Sequence, residues 1–268
     1  YATGAAPNSV AIGDLNGDGR PDLAVANRDA STVSVLPGDG QGGFGARADF
    51  ASGPVPMAVA IGDLSGDGRP DLVAANWGSD TVSVLLGDGA GGFAAKTDLA
   101  TGVDPNHVAI GDLNGDGRPD LAVANASSHT VSVLLGGGAG GFGTKADFAT
   151  GTNPNLVAIG DLNGDGRPDL AVANLGSDTV SVLFGNGAGG FAAKTDFRTG
   201  ANPNSAAIGD VDGDGHPDLA VANEGSNTVS VLLGDGAGGF GAKTDFVTGA
   251  RPASVRIGDL SGDGRPDL

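Results

Sequence analysis

The chain has 268 residues, no cysteine, 51 glycines and a formal charge of −18 from 32 acidic against 14 basic side chains. Without cysteine there is no disulfide framework, thiol nucleophile or thiolate metal site, and so few cations argue against nucleic acid, whose phosphates are met by Lys and Arg. No run approaches the roughly 20 apolar residues that cross a bilayer, the glycines keep no three-residue period, and a 39% hydrophobic content favours a folded chain over collagen or disorder.

In chain order, Ser9–Ile12 reads as a short strand. It enters the nine-residue segment Asp14-Leu15-Asn16-Gly17-Asp18-Gly19-Arg20-Pro21-Asp22, where oxygen-bearing side chains alternate with spacers. Pro21 stops any helix, so Leu23–Ala26 reads as the strand leaving this loop. Asn27–Ser31 is a polar turn, and Thr32-Val33-Ser34-Val35-Leu36 alternates with the two-residue period of a strand. Gly38–Gly43 breaks that strand, and a fourth is expected from about Phe44 to Ala51.

The loop recurs every 49 residues, from Asp14, Asp63, Asp112, Asp161, Asp210 and Asp259. Four short strands per repeat and no helical pattern predict an all-β chain, a β-propeller of four-stranded antiparallel blades. Asn-Gly-Asp-Gly is good turn sequence by itself, but turn formation does not require Asp at positions one, five and nine of all six copies. Calcium does. A hard cation takes six to eight oxygens, and EF-hand loops supply them from positions one, three and five and the carbonyl at seven. An EF-hand closes with Glu at position twelve, where this chain has Val25, Ala74, Val123, Val172 or Val221, so position nine must supply the last carboxylate.

The expected ligands are therefore Asp14, Asn16, Asp18 and Asp22 with the carbonyl of Arg20, then Asp63, Ser65, Asp67 and Asp71 with that of Arg69. The third and fourth loops offer Asp112, Asn114, Asp116 and Asp120 with Arg118, and Asp161, Asn163, Asp165 and Asp169 with Arg167. The fifth offers Asp210, Asp212, Asp214 and Asp218 with the His216 carbonyl, and the sixth Asp259, Ser261, Asp263 and Asp267 with Arg265. These loops hold 19 of the 32 acidic residues, so the charge is mostly a ligand inventory for one Ca²⁺ per loop, up to six.

Phe44-Gly45 followed by the next Asp-rich loop, repeated along the chain, resembles the FG-GAP and VCBS repeats of integrin α-subunit propellers and of many bacterial secreted proteins. The resemblance covers the whole chain and implies that each ion sits in the hairpin between the first and second strands of a blade. Ala94 and Ala192 depart from Phe-Gly, and His216 replaces Arg where only a carbonyl is needed. Phe44, Phe93, Phe142, Phe191 and Phe240, with Phe50, Leu99, Phe148, Phe197 and Phe246, are repeat-locked and read as core.

Repeats of about 2–50, 51–99, 100–148, 149–197 and 198–246 precede a partial sixth, 247–268, so residues 1–268 form one propeller domain or propeller fragment with five full blades. Tyr1-Ala2-Thr3-Gly4 matches the repeat-internal Phe50-Ala51-Ser52-Gly53, so the true N-terminus and any signal peptide are expected to lie outside the chain. Either five blades close, or the chain is a piece of a larger ring, seven blades being common in the family resembled, or another copy completes it as a strand-sharing homo-oligomer. The sixth loop has only Leu268 beyond it and should be the weakest site.

Several motifs are decoys. Gly38–Gly43 satisfies G-x-G-x-x-G, yet no helix follows to hold a pyrophosphate. His107, His129 and His216 fall at different repeat positions and form no shared constellation, and the other Asp residues are repeat-locked rather than paired as in a glycosidase. The expected function is a non-catalytic calcium-binding scaffold or adhesion module, not an enzyme, in an extracellular or cell-surface, secreted bacterial protein. It would bind a protein or glycan partner at the cell surface or matrix, with no nucleic acid and no membrane insertion. The alternative is a calcium-dependent lectin-like propeller, for which one Trp and one Tyr are a meagre aromatic surface. Repeat-variable positions (Ser9, Ala58, His107, Leu156, Ser205 and Ser254; Arg28, Trp77, Ala126, Leu175 and Glu224) are expected to flank strand ends and to be candidate partner contacts.

Overall fold

The computed structural model describes residues 1–268, and every regular element in it is a strand. The first sheet is β1 (Pro7–Gly13), β2 (Asp22–Asn27), β3 (Thr32–Leu36) and β4 (Ala48–Ala51), antiparallel in chain order. The second follows the same order with β5 (Pro56–Gly62), β6 (Asp71–Asn76), β7 (Thr81–Leu85) and β8 (Thr97–Ala100). The third has β9 (Pro105–Gly111), β10 (Asp120–Asn125) and β11 (Thr130–Leu134), then a small ribbon of β12 (Gly136–Gly138) and β13 (Gly141–Phe142), and finally β14 (Ala146–Ala149). The fourth is β15 (Pro154–Gly160), β16 (Asp169–Asn174), β17 (Thr179–Leu183) and β18 (Thr195–Arg198). The fifth is β19 (Pro203–Gly209), β20 (Asp218–Asn223), β21 (Thr228–Leu232) and β22 (Thr244–Val247). Beyond it a single bridge pairs Gly258 with Asp267, the start of the incomplete sixth repeat.

The residues fall into two compact units, one of Tyr1–Asp112, Asp116–Ser128 and Ser132–Asp147, the other of Leu113–Gly115, His129–Val131 and Phe148–Leu268. In the first unit the apolar core lies between consecutive blades. Ala24, Ala26, Val33 and Val35 of the first blade pack with Val59, Leu72, Ala74 and Leu85 of the second. The opposite face of the second blade, with Val73, Ala75, Val82 and Val84, packs with Val108, Leu121, Val123 and Leu134. The second unit repeats this arrangement, Ala171, Ala173, Val180 and Val182 meeting Ala206, Leu219, Val221 and Leu232. Both faces of a middle strand are thus buried, and only small and β-branched residues fit two sheets so closely. Each fully buried Leu contributes roughly 2 kcal/mol.

The structure departs from the sequence reading in five places. The fourth strand is Ala48–Ala51 alone, because Phe44 makes only an isolated bridge to Gly38 and the chain between them turns back. The phenylalanines pack at the margin of the core rather than inside it, half-buried and edge-on, Phe50 on Phe93 at 5.0 Å between ring centroids, Phe148 on Phe191 at 5.3 Å and Phe197 on Phe240 at 5.1 Å, and Phe246 is 53% exposed. The fully buried large side chains include the position-two leucines Leu15, Leu64, Leu113 and Leu162 of the loops themselves. Of the two repeat-variable positions, that of Ser9 lies inside the first strand of each blade, with Ala58 and Ser205 buried, so only the Trp77 position sits on a turn.

Asn27 is not a turn residue either. It is buried at the end of β2, donating from Nδ2 to Ser34 Oγ at 2.8 Å, and Ser34 donates to Asp49 Oδ1 at 2.6 Å. The same chain of bonds links Asn76, Ser83 and Asp98, then Asn174, Ser181 and Asp196, then Asn223, Ser230 and Asp245. It ties the second, third and fourth strands of each blade across one face. In the second blade the backbone N–H of Gly53 joins by donating to Ser83 Oγ at 3.0 Å, and a Cβ on Gly53 would stand 2.6 Å from Asn76 Cγ, which explains the glycine.

Candidate metal centre

Each Asp-rich loop is the tip of the hairpin between the first two strands of a blade, and its first Asp organises it. Asp14 Oδ1 accepts from the N–H of Gly17 at 2.8 Å and of Asp18 at 3.2 Å, while Oδ2 accepts from Gly19 at 2.8 Å. Gly17 and Gly19 have φ of 75° and 79°, the left-handed region that glycine enters without penalty. The Gly19 N–H and its neighbours hold the Asp14 carboxyl below the usual carboxylate range, and the Gly264 N–H does the same first for Asp259.

Asn16 Oδ1 accepts from Asp18 N–H at 2.9 Å, and Asp18 Oδ1 accepts from Arg20 N–H at 2.9 Å. Position seven therefore gives its N–H to position five. Arg69 and Arg167 also bring a guanidinium within 3.9 Å of the position-five carboxylates Asp67 and Asp165.

Position nine differs from the rest. Asp22, Asp71, Asp120, Asp169 and Asp218 are fully buried. Asp22 Oδ2 accepts from Leu15 N–H at 2.9 Å and Oδ1 from Gly38 N–H at 2.7 Å, so one carboxylate joins the loop to the turn after β3. Gly38 cannot be anything larger, since a Cβ there would lie 2.1 Å from the Pro21 carbonyl oxygen. Burial pushes the Asp71 and Asp169 carboxyls up, and the nearby carboxylates Asp67 for the one, Asp165 and Asp161 for the other, push further.

In the fifth loop one carboxylate oxygen each from Asp210, Asp212 and Asp218 lie within 4.8 Å of one another. Positions one, three and nine thus converge, and position five, where Asp214 accepts from His216 N–H at 2.8 Å, stands outside that group. The donor set is carboxylate, carboxamide and hydroxyl oxygen, which suits a hard cation of the calcium type better than a metal that selects sulfur or imidazole. The sixth loop keeps the turn, with Leu260 and Ser261 N–H on Asp267 Oδ2 at 2.9 Å each, but Leu260 is 79% exposed where Leu15 is 1%.

No curated protein sequence matches the chain. Solved structures with the same fold include a lectin from Agrocybe aegerita that recognises non-reducing terminal N-acetylglucosamine, 23% identical with a TM-score of 0.63 over 90% of this chain and 66% of that one. BBS1N in complex with ARL6DN is 15% identical, TM-score 0.66, over 98% of this chain and 74% of that one. The periplasmic gluconolactonase PpgL of Pseudomonas aeruginosa is 24% identical, TM-score 0.68, over 92% and 71%. The chain thus spans about two thirds to three quarters of the length of these proteins.

The lactonase corrects one expectation. The lack of a shared histidine constellation led to the reading that the chain is not an enzyme, but chains of this fold do catalyse reactions. A site used once need not repeat in every blade, so the repeat argument does not exclude catalysis. The FG-GAP-like repeat matches at residues 14–74, 63–123, 112–172, 161–221 and 210–268, each match running from one Asp-rich loop through the next, and the chain belongs to the FG-GAP-like repeat family.

Proposed function

We propose that this propeller is a calcium-stiffened binding platform of an extracellular protein, with one ion held by each Asp-rich loop. The observation that carries the reading is the convergence of hard oxygen donors in a loop whose position-nine carboxylate is buried. Calcium would supply the positive charge that offsets carboxylates otherwise crowded together. The chain's own residues do the rest. Asp14 and its equivalents shape the turn, Asp22 and its equivalents couple the hairpin to the turn after the third strand, and the side chain at five and the carbonyl at seven would close on the ion held by positions one, three and nine.

Sites built this way in extracellular modules bind at about 10⁻⁴–10⁻³ M, which suits a calcium-rich exterior. The partner-binding reading draws support from the fold's use in a lectin and in the ARL6DN complex of BBS1N. A glycan partner is the second reading, favoured by Trp77, which is 43% exposed on the turn between β6 and β7.

Amide hydrogen exchange tests the platform. Calcium is expected to slow exchange of the Gly17, Asp18 and Gly19 amides and their equivalents at least tenfold, and equal rates in calcium and chelator would refute it. A glycan array probed in calcium separates the two partner classes, since specific glycan binding lost in Trp77→Ala supports the second.

A further inference from the structure

The six loops are not equivalent, and the difference is concentrated in the fifth. Position three is a carboxylate only there, Asp212, against Asn16, Ser65, Asn114, Asn163 and Ser261 elsewhere. Position seven is His216 only there, against Arg in the other five loops. The second substitution matters because Arg69 and Arg167 hold a guanidinium 3.9 Å from the position-five carboxylates of their loops, where it repels an incoming cation. In the fifth loop no guanidinium stands beside Asp214.

Counting Asp and Arg, the fifth loop carries a formal charge of −4, and each of the others −2. The extra carboxylate is also well placed, since Asp212, Asp210 and Asp218 oxygens lie within 4.8 Å of one another. In oxygen-ligand loops of this kind, charge count and rigidity shift calcium affinity over decades. Asp212 and Asp214 are exposed, so water and salt screen part of the gain and the expected difference is tens rather than thousands.

We propose that the Asp210–Asp218 loop is a high-affinity cation site among weak ones, filled at calcium concentrations that leave the other loops empty. The inference rests on the calcium reading above and adds an order of filling to it. In the cell's exterior this would make the fifth blade permanently loaded, and the remaining blades responsive to calcium.

The test is a calorimetric calcium titration of the whole 268-residue chain, with ions per chain counted by native mass spectrometry. The wild type is expected to bind one ion at least tenfold tighter than the rest. Asp212→Asn combined with His216→Arg should remove the tight class and keep the weak one. Ser65→Asp combined with Arg69→His should create a second tight ion in the second loop, where the guanidinium lies 3.9 Å from Asp67. Several ions of equal affinity in the wild type would overturn this inference and leave the calcium reading standing. A tight class that survives in the Asp212→Asn/His216→Arg variant would overturn it too, and no calcium binding at all would overturn both.

Discussion

Millimolar calcium added to the chelated protein is expected to raise its melting midpoint by more than 10 °C. A site that binds only the folded state adds RT ln(1 + [L]/Kd), about 1.4 kcal/mol at ten times Kd and about 2.7 kcal/mol at a hundred times. Several weak sites filled at 10 mM calcium would together contribute at least about 5 kcal/mol, and for a chain of this size each kcal/mol moves the midpoint by roughly 2–4 °C. Without the ion, the buried Asp71 and Asp169 carboxyls, pushed up by burial and by neighbouring carboxylates, oppose folding whenever they ionise. Magnesium at the same concentration should do much less, because it demands tight octahedral geometry and gives up its water reluctantly. Scanning calorimetry with calcium, magnesium and chelator decides the matter, and identical midpoints would refute a stabilising ion.

The second large effect separates positions nine and five of one loop. Asp169→Ala is expected to cost about 3–4 kcal/mol even in chelator. Asp169 is fully buried and accepts from Leu162 N–H at 2.9 Å and Gly185 N–H at 2.7 Å, so its loss strands two backbone donors at about 1–3 kcal/mol each. Removing a buried, repelled charge offsets part of that cost. Asp165→Ala should behave otherwise, because Asp165 is exposed and its one backbone partner in the loop, Arg167 N–H at 2.9 Å, is exposed too. Its loss in chelator should stay within about 0.5 kcal/mol, and only in calcium should the variant fall behind the wild type. Urea melts of both variants in both buffers check this. Equal losses for Asp165→Ala in the two buffers would remove position five from the ligand set.

Much of the fold was legible because the chain is its own alignment. Period-two alternation placed β3 at Thr32–Leu36 to the residue, and the Asp-rich loops placed the facing ends of β1 and β2 to within one residue. The fourth strand was overread because the end of the glycine-rich turn is set by a side chain. Asp39 Oδ1 accepts from Gln41 and Gly43 N–H at 2.8 Å each, which curls the chain before Phe44, and composition alone gives no sign of where that curl stops.

The buried Asn27–Ser34–Asp49 chain of bonds was missed although its signal was present. Asn, Ser and Asp recur without exception at those three positions in all five full repeats, which is more than a turn and a strand surface require. Leu15 was missed for a different reason. A leucine between two polar, oxygen-bearing residues looks exposed in sequence, and only the stacking of the next blade, with Val59 and Leu72 in the same cluster, buries it. At the candidate site the spacing of the oxygen donors was readable, whereas the clamp that position nine makes depends on Gly38, 16 residues away.

Counting the ions is the most direct measurement of the central claim. Native mass spectrometry of the chain after dialysis against calcium should show one added calcium per loop, approaching six at saturation, and one fewer in Asp67→Ala. A chain that carries no calcium, or a count unchanged by Asp67→Ala, would contradict the account.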